Sequence, residues 1–323
     1  MGIRKLIIIG SGPAGFTAAI YAARAELNPL LIAGSVYGGQ LMLTTDVGNY
    51  PGFVEDIQGP ELIDRMLKQA ERFGTEIVYT DVSKVDFSRL PSPAAQANGG
   101  QAKWPFKVWT DDTEYEAQAV IIATGASAKW LGLPSEERLR GKGVSACATC
   151  DGFFFKDKKV VVVGGGDTAM EEALYLTKFA SEVTVIHRRD SLRASKIMQR
   201  RAMDNPKIKF IFDTAVEEIL GEKEVTGVRL KNLKTGEGQK LLSDGVFIAI
   251  GHEPNTKFLA GSGVELDQKG YVVIHEQSRT NIDGVFVSGD VHDHVYRQAI
   301  TAAGAGCRAA MDAERWLAEK EME

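Results

Sequence analysis

The chain of 323 residues is poor in cysteine and histidine, with only three and five of them respectively. Two cysteines, Cys147 and Cys150, are close together, and Cys307 lies far away near the C-terminus. A zinc site of four cysteines is therefore excluded, and the histidines lack the ligand spacing that would complete a mixed site. We expect no bound metal.

Long apolar runs and strongly basic segments are missing as well. No apolar stretch approaches the roughly 18 residues of a membrane span, and the run at residues 6–9 is too short for a signal peptide. Gly2 does not begin a myristoylation signal, because Leu6 stands where Ser or Thr is needed. A net charge of −5 without a polybasic run argues against nucleic acid as a partner. We expect a cytoplasmic protein without membrane contact.

What the sequence does contain is Cys-Ala-Thr-Cys-Asp at residues 147–151. Two thiols at this spacing, followed by a carboxylate, are typical of a redox pair with a proton-transfer group beside it. A permanent structural disulfide is the alternative. Because the cytoplasm keeps thiols reduced, we favour a reversible dithiol, with Cys147, Cys150 and Asp151 as candidate catalytic residues. Cys307, inside an alanine-rich helical segment, is expected to be a small packed residue.

A dinucleotide-binding pattern opens the chain. The apolar residues 5–9 are typical of a buried parallel strand, and a helical segment begins at Phe16. Between them lies Gly-Ser-Gly-Pro-Ala-Gly at residues 10–15, a G-x-G-x-x-G motif in strand–loop–helix context. Its glycines allow a tight turn and close approach of a pyrophosphate to the helix N-terminus. A glycine-rich turn without a ligand is the alternative.

The adenosine side of this first site is less complete. The second strand, at residues 29–32, should end in an acid that binds the ribose, yet it ends in Ala33 and Gly34. A polar loop follows, with Gly39, Gln40 and Asn49. Its amides could bind the heteroatom edge of a flavin, or they could simply form turns.

A second strand–loop–helix unit begins at residue 159. Its loop, at residues 164–169, reads Gly-Gly-Gly-Asp-Thr-Ala, a G-x-G-x-x-A motif, so we expect two nucleotide sites. The following strand, at 182–186, ends in His-Arg-Arg at 187–189, with Arg193 close behind. Arginines here favour a 2′-phosphate, and hence NADP over NAD, although a solvated basic turn is the alternative.

The repeat indicates an α/β protein with two Rossmann-like domains, the NADPH domain inserted in the FAD domain. We place the FAD domain at 1–124 and 251–323, and the NADPH domain with the dithiol at 125–250.

The other predicted elements are helices at 61–72 and 298–320, strands at 114–118 and 119–123, a β-meander at 225–230 and 239–242, and a surface excursion at 88–100. Asp290, after a strand at 285–287, could bond a polyol hydroxyl, and His252, in the return turn, is expected to be structural.

Two nucleotide loops and one dithiol together describe an electron path. NADPH would deliver a hydride, and a flavin can accept it and pass two electrons to sulfur, which no side chain can do. The dithiol would then reduce a disulfide outside the protein by thiolate exchange.

These motifs resemble those of bacterial-type (low-molecular-weight) thioredoxin reductases along nearly the whole chain. The matching segments are 10–15, 39–40, 147–152, 164–173, 187–189, 251–256 and 289–306. The resemblance implies a homodimer that reduces thioredoxin with NADPH and FAD. It also implies that Cys150 faces the flavin, that Cys147 attacks the partner's disulfide, and that Asp151 supplies or takes the proton.

The resemblance implies cofactor contacts as well. Those with FAD would be Gly10, Ser11, Gly12, Pro13, Ala14, Gly15, Gly39, Gln40, Asn49, Val82, Thr124, Gly125, Asp290, Arg297, Gln298 and Ala299. Those with NADPH would be Gly164, Gly166, Asp167, Thr168, Ala169, His187, Arg188, Arg189 and Arg193.

A dithiol in one domain and a flavin in the other predict a domain rotation between the half-reactions, because a pair sheltered against the flavin cannot also meet a protein disulfide. The rival interpretations are a flavin dithiol oxidase, a ferredoxin-fed reductase and a nucleotide-sensing protein with an idle fold. The arginines argue against the first two, and the Cys-X-X-Cys-Asp set argues against the third.

Overall fold

The computed structural model describes residues 2–88 and 105–322. Its strands are β1 Arg4–Ile9, β2 Leu30–Ile32, β3 Asp46–Val47, β4 Ile57–Gln58, β5 Glu76–Val78, β6 Val82–Asp86, β7 Phe106–Thr110, β8 Glu114–Ile122, β9 Ala126–Ala128, β10 Val144–Ser145, β11 Lys159–Val163, β12 Glu182–Ile186, β13 Ile208–Ile211, β14 Thr214–Leu220, β15 Gly227–Asn232, β16 Gly238–Leu242, β17 Gly245–Ile248, β18 His252–Pro254 and β19 Val285–Val287.

Its α-helices are α1 Pro13–Arg24, α2 Gly59–Arg72, α3 Pro134–Leu139, α4 Ala148–Asp151, α5 Asp167–Leu176, α6 Lys196–Met203 and α7 Ala299–Met322. Short 3₁₀ turns lie at Gly39–Leu43, Gly152–Phe155, Lys257–Leu259 and Gly289–Val291. Among the described residues, no helix combines the length and the apolarity needed to cross a membrane.

The chain divides into two compact units. Unit 1 comprises residues 1–127 and 253–323, and unit 2 comprises residues 128–252. At the two crossings, β9 and β18 pair as a short two-stranded sheet. Within unit 1, Asn255 connects the chain that returns from unit 2 to the segment that leads into it. Its Nδ2 donates to the Thr124 carbonyl at 2.8 Å, and its own carbonyl accepts from Thr124 Oγ1 at 2.8 Å.

Unit 1 is built on a sheet in the order β5-β2-β1-β8-β7-β6, with β19 also paired to β8. The strand β1 runs parallel to β2 and β8 in its centre. Its apolar residues alternate between two cores, because successive side chains point to opposite faces of a sheet. Leu6 and Ile8 pack with the helices α1 and α7, whereas Ile7 and Ile9 pack on the other face. Burial on both faces explains the uninterrupted apolar run.

The strand β8 corrects one prediction. The sequence suggested separate strands at 114–118 and 119–123, but the structure has one strand, Glu114–Ile122. Its first half alternates between buried residues and residues that are exposed or half-buried, and it pairs antiparallel with β7. Its last residues are all buried between the parallel β1 and β19. No turn residue separates the two halves, so a change of burial pattern was mistaken for a break. The predicted excursion at 88–100 lies almost entirely outside the described residues.

The helices α1 and α7 pack closely because Gly306 lies at their contact. A Cβ on Gly306 of α7 would lie 2.1 Å from the Ala14 carbonyl oxygen of α1. The same helix α7, predicted at 298–320, buries Trp316, whose Nε1 donates to Asp283 at 2.6 Å. This packing holds the start of α1, and with it the first glycine loop, against the rest of unit 1.

Unit 2 repeats the arrangement with a five-stranded parallel sheet, in the order β10-β17-β11-β12-β13. In β11, Val160 and Val162 face the core formed with α5, whereas Val161 and Val163 face the antiparallel meander β14-β15-β16. The predicted meander contained β15 and β16, and the sequence reasoning missed β14. The glycine loop of this unit follows β11, and the arginine segment follows β12, at the same edge of the sheet.

Candidate functional site

The first glycine loop joins β1 to α1. Gly10 has a φ of +108°, and a Cβ there would lie 2.4 Å from the Ala123 carbonyl oxygen. A Cβ on Gly15 would lie 1.8 Å from the Gly10 carbonyl oxygen. Packing therefore requires both outer glycines. A Cβ on Gly12 would meet no atom of the described residues within 4 Å, so the middle glycine leaves an open face for a ligand.

Ser11 fastens this loop to its neighbours. Its buried hydroxyl donates to the Ala33 carbonyl at 2.6 Å and accepts from the Gly38 amide at 2.9 Å. The Ser11 hydroxyl therefore makes its hydrogen bonds with other parts of the protein. The contact also brings the 3₁₀ turn to the loop, since a Cβ on Gly39 would lie 3.7 Å from the Gly12 Cα.

The turn at Gly289 completes this side of unit 1. A Cβ on Gly289 would lie 2.8 Å from the Ala14 Cβ, so the turn lies against the first turn of α1, where Pro13 is the first helical residue. Burial raises the pKa of Asp290 to about 7, with a smaller contribution from Asp293 that Arg297 opposes. Such a desolvated carboxyl group is suited to a hydrogen bond with a polyol hydroxyl group.

Two polar atoms beside this turn are left over by the fold. The buried Ser288 Oγ and Asp290 Oδ1 have no hydrogen-bond partner among residues 2–88 and 105–322. Buried polar groups are rarely left unpaired, so these two atoms fit a ligand with hydroxyl or carbonyl groups. A flavin with its polyol chain is such a ligand.

The other predicted FAD contacts lie in the same unit. Asn49 Nδ2 donates to Gln298 Oε1 at 3.3 Å, which joins the polar loop to the residues just before α7. Arg297, with a φ of +48°, and Ala299 flank Gln298. Gln40 is exposed in the 3₁₀ turn, Val82 begins β6, and Gly125 accepts a hydrogen bond from Asn255 N.

The dithiol lies in unit 2 as a Cys147–Cys150 disulfide, with its two Cα atoms 5.3 Å apart. Cys147 precedes the short helix α4, and its Sγ accepts from the Cys150 amide at 3.2 Å. The Thr149 hydroxyl lies 3.3 Å from the same sulfur. Polar hydrogens around a sulfur favour its thiolate form after reduction, so Cys147 suits the role of nucleophile. Asp151 ends α4, and Cys150 is the more exposed of the two cysteines.

The second glycine loop repeats the packing of the first. A Cβ on Gly164 would lie 2.3 Å from the Ala249 carbonyl oxygen, and Ala169, the final small residue, is fully buried. A Cβ on Gly166 would meet nothing within 4 Å among the described residues. The loop therefore keeps an open face at the start of α5, where Asp167 and Thr168 are the first helical residues.

His187 lies behind this loop, separate from the arginines that follow it. A Cβ on Gly165 would lie 2.3 Å from the imidazole ring. Burial lowers the pKa of His187, and the nearby Arg193, Arg189 and Arg188 lower it further. The neutral ring supports the loop, whereas the three arginines are exposed and carry the positive charge.

Backbone hydrogen bonds tie the loop to the arginine segment. The Gly165 carbonyl accepts from the amides of Arg193 and Ala194 at 2.7 and 3.1 Å. The Asp167 carboxylate accepts from the Ser195 amide at 2.8 Å. No sequence pattern predicts these contacts, because backbone groups make most of them. They hold the second glycine loop and the basic segment at a fixed spacing.

Among residues 2–88 and 105–322, no group of three or more His, Cys, Asp or Glu side chains is placed to hold a metal ion. The candidate functional elements are two glycine loops, one in each unit, and the disulfide in unit 2.

Comparisons with known proteins agree with this arrangement. The family model described as pyridine nucleotide-disulphide oxidoreductase matches residues 4–306. The chain is 55% identical over 321 residues to a thioredoxin reductase of Mycolicibacterium smegmatis, covering 99% of this chain and 98% of that protein. It is 57% identical over 318 residues to one of Rickettsia bellii, covering 97% and 98%. The solved thioredoxin reductase of Giardia duodenalis matches with a TM-score of 0.89 at 45% identity, covering 97% of this chain and 98% of that one.

Proposed function

The chain belongs to the pyridine nucleotide-disulphide oxidoreductase family, and on that premise we propose that it is a thioredoxin reductase. The observation that carries the proposal is the Cys147–Cys150 disulfide in a unit that also holds a nucleotide loop. Electrons pass from a pyridine nucleotide to a flavin, then to this disulfide, and finally to the disulfide of thioredoxin.

The first loop is the site for FAD. Its open face at Gly12 suits a pyrophosphate, which joins the two halves of FAD and is absent from FMN. The unpaired Ser288 and Asp290 atoms suit the flavin end of the same molecule. Asn49 and Gln298 add amides for the flavin's heteroatoms.

The second loop is the site for NADPH. The exposed Arg188, Arg189 and Arg193 supply guanidinium groups for a 2′-phosphate, and the bonds to Gly165 fix their segment to the pyrophosphate loop. NADH lacks this phosphate and leaves the arginines without a partner.

The thiols carry out the second half of the reaction. A flavin held by the first glycine loop would supply a two-electron carrier between the nicotinamide and the Cys147–Cys150 disulfide. Together with two protons these electrons produce two thiols, and Asp151, the last residue of α4, is the proposed proton-transfer group. The Cys147 thiolate attacks the disulfide of thioredoxin and forms a mixed disulfide. The Cys150 thiolate then attacks Cys147 Sγ, which restores the internal disulfide and releases reduced thioredoxin.

The assay for this function is NADPH consumption by the FAD-loaded protein in the presence of oxidised thioredoxin. Steady turnover supports the whole path. Flavin bleaching by NADPH without reduction of thioredoxin would contradict the proposed acceptor, and an unbleached flavin would contradict the proposed path.

A hydrophobic surface beside the dithiol suits the protein partner. Phe153 and Phe154 lie two and three residues after Asp151 and are 68% and 41% exposed, which is unusual for phenylalanine. The Phe153 ring also contacts Phe179, with ring centroids 6.1 Å apart. Exposed aromatic side chains are frequent anchors of protein interfaces.

We expect Phe153→Ser to raise the KM for thioredoxin about tenfold, because an exposed aromatic anchor contributes about 1–2 kcal/mol to binding. Reduction of a small disulfide dye should not change, since the dye needs no docking surface. Leu233→Ser removes an exposed apolar residue from the same unit and serves as the control. An equal loss with dye and thioredoxin would argue against docking at this surface.

We also propose that the two units change their relative orientation during the cycle. The dithiol lies in unit 2 and the FAD loop in unit 1. The dithiol must exclude water while it receives electrons, and must then admit a protein disulfide. One arrangement cannot meet both needs, so two arrangements alternate about the crossings at 127–128 and 252–253.

Single-molecule energy transfer between the units tests this motion. Dyes are attached at Val54→Cys and Leu242→Cys, which are exposed positions of unit 1 and unit 2, in a Cys307→Ser background. We expect two transfer efficiencies that interconvert at least as fast as turnover, with populations that shift when NADP is added. One constant efficiency throughout the cycle would contradict the motion.

The homodimer and the cytoplasmic location stay predictions. They rest on the family resemblance and on the reducing compartment that a reversible dithiol requires.

A further inference from the structure

The sequence places no acid at the end of β2, but the fold brings one there. Ser35 follows Gly34 after that strand, and its amide donates to Asp81 Oδ1 at 3.0 Å. The Ser35 hydroxyl donates to Asp81 Oδ2 at 2.5 Å. Asp81 comes from the segment between β5 and β6, 46 residues further along the chain.

The pairing of β2 and β5 explains this position. The two strands are parallel neighbours, with Ile32 opposite Val78, so their carboxyl ends meet at one edge of the sheet. The Ala33 amide donates to the Val78 carbonyl at 2.8 Å. Asp81 follows that contact by three residues and reaches back to Ser35.

This edge is also the edge of the first glycine loop. The Gly10 amide donates to the Ile32 carbonyl at 2.9 Å, and the Ser11 hydroxyl donates to the Ala33 carbonyl. Gly34 has a φ of +87°, and a Cβ there would lie 3.3 Å from Asp81 Oδ1. The carboxylate therefore lies beside the backbone position from which dinucleotide folds usually present their ribose-binding acid.

The carboxylate retains capacity for a ligand. Asp81 is exposed, and the bonds from Ser35 use one acceptor position on each oxygen, whereas a carboxylate offers about four. The same bonds lower the pKa of Asp81, so it is ionised at neutral pH. An ionised carboxylate accepts hydrogen bonds from a ribose diol and repels a ribose phosphate.

We propose that Asp81, held by Ser35, is the ribose-binding acid of the first nucleotide site and selects an adenosine ribose with free hydroxyl groups. The inference rests on the proposed function, because it takes FAD as the ligand of that site. It assigns to a residue beyond β5 the role that the sequence of β2 leaves vacant.

The competing explanation is that Asp81 only fastens the turn at Ser35. The chain offers a matched control for this. At the other end of β6, Asp86 accepts from the amide and the hydroxyl of Ser88 at 2.8 and 2.6 Å. Asp86→Ala therefore removes the same kind of local contact without touching the end of β2.

The experiment measures FAD affinity of the flavin-free protein by quenching of flavin fluorescence. We expect Asp81→Ala to weaken binding about 10- to 100-fold, as for loss of a hydrogen bond to a charged group. Asp86→Ala should stay within about twofold of the parent, as is usual for surface changes. Asp81→Asn keeps an acceptor for Ser35 and should still weaken binding.

A modified ligand separates ribose binding from fastening of the turn. FAD lacking the 2′-hydroxyl of its adenosine ribose should bind the parent protein more weakly than FAD does. In Asp81→Ala, FAD and this analogue should bind with nearly equal affinity, because the partner of the hydroxyl is gone. The unfolding temperature of each flavin-free variant shows whether the fold is intact.

Unchanged FAD affinity in both Asp81 variants would overturn the inference. An unaltered preference for FAD over the analogue in Asp81→Ala would do the same, since it would leave only the turn-fastening role. If the parent protein itself fails to bind FAD, the proposed function fails instead.

Discussion

Replacing either cysteine of the pair with serine should lower NADPH-dependent reduction of thioredoxin at least about 1,000-fold, as for residues that act as one catalytic unit. The protein needs both thiols to carry two electrons, because the second thiol must break the mixed disulfide before thioredoxin can leave. One remaining thiol can form a mixed disulfide but cannot resolve it. The measurement is the steady-state rate of NADPH consumption by FAD-loaded Cys147→Ser and Cys150→Ser.

The two variants should differ in what they trap. In Cys150→Ser the Cys147 thiol remains and should form a stable mixed disulfide with thioredoxin, because the resolving thiol is missing. In Cys147→Ser the remaining Cys150 should trap little. Non-reducing electrophoresis and mass analysis of the adduct distinguish these outcomes. Trapping by Cys150 alone would reverse the assigned roles.

Cys307 provides the control for thiol chemistry in general. It is a free, partly buried cysteine on α7, in unit 1. Cys307→Ser should leave turnover within about twofold of the parent, as for a substitution outside the site. Substantial turnover by either dithiol variant would mean that the electrons leave the protein by another route.

Removal of the arginine cluster should abolish the preference for NADPH over NADH. Each charge-assisted hydrogen bond to a phosphate contributes about 1.5–3 kcal/mol, or roughly 10- to 100-fold in affinity. We expect the combined substitution of Arg188, Arg189 and Arg193 by alanine to raise the KM for NADPH at least about 100-fold. Because salt screens these charges, the effect should be smaller than the sum of the three separate contributions. The KM for NADH should change little.

Two further variants separate charge from structure. Arg200→Ala removes an exposed arginine of α6 and should leave both coenzymes unaffected. His187→Ala removes the ring behind Gly165 and should weaken NADPH and NADH by similar factors, because the ring supports the loop that both would share. A loss confined to NADPH in His187→Ala would place that ring at the phosphate.

The coenzyme preference also decides between the reductase and its rivals. A flavin dithiol oxidase or a ferredoxin-fed reductase has no use for a 2′-phosphate site. A parent protein that uses NADPH and NADH equally well would remove the argument against both, whatever its thiols do.

Local pattern predicted the parts of the site that depend on short segments. The glycine loops at 10–15 and 164–169 stand between a buried strand and a helix, and packing against Ala123 and Ala249 explains the small residues. The Cys-X-X-Cys-Asp segment likewise appears as one local element, α4 with the preceding cysteine.

Contacts between distant segments could not be predicted in this way. Asp81 reaches Ser35 only because β5 pairs with β2, and the single sequence contains no signal for that pairing. Asn255 likewise joins Thr124 across 131 residues, next to the pairing of β9 with β18. His187 belongs to the arginine motif in sequence, yet burial separates its ring from the arginines.

The two amides that bind the Gly165 carbonyl have a consequence for evolution. Main-chain atoms set the distance between the glycine loop and the arginine segment, so this distance does not depend on which side chains occupy positions 188, 189 and 193. Mutations at these positions can alter coenzyme choice without disturbing the scaffold. A lineage could therefore exchange one coenzyme for another through single, individually viable steps, while the loop that both coenzymes share stays unchanged.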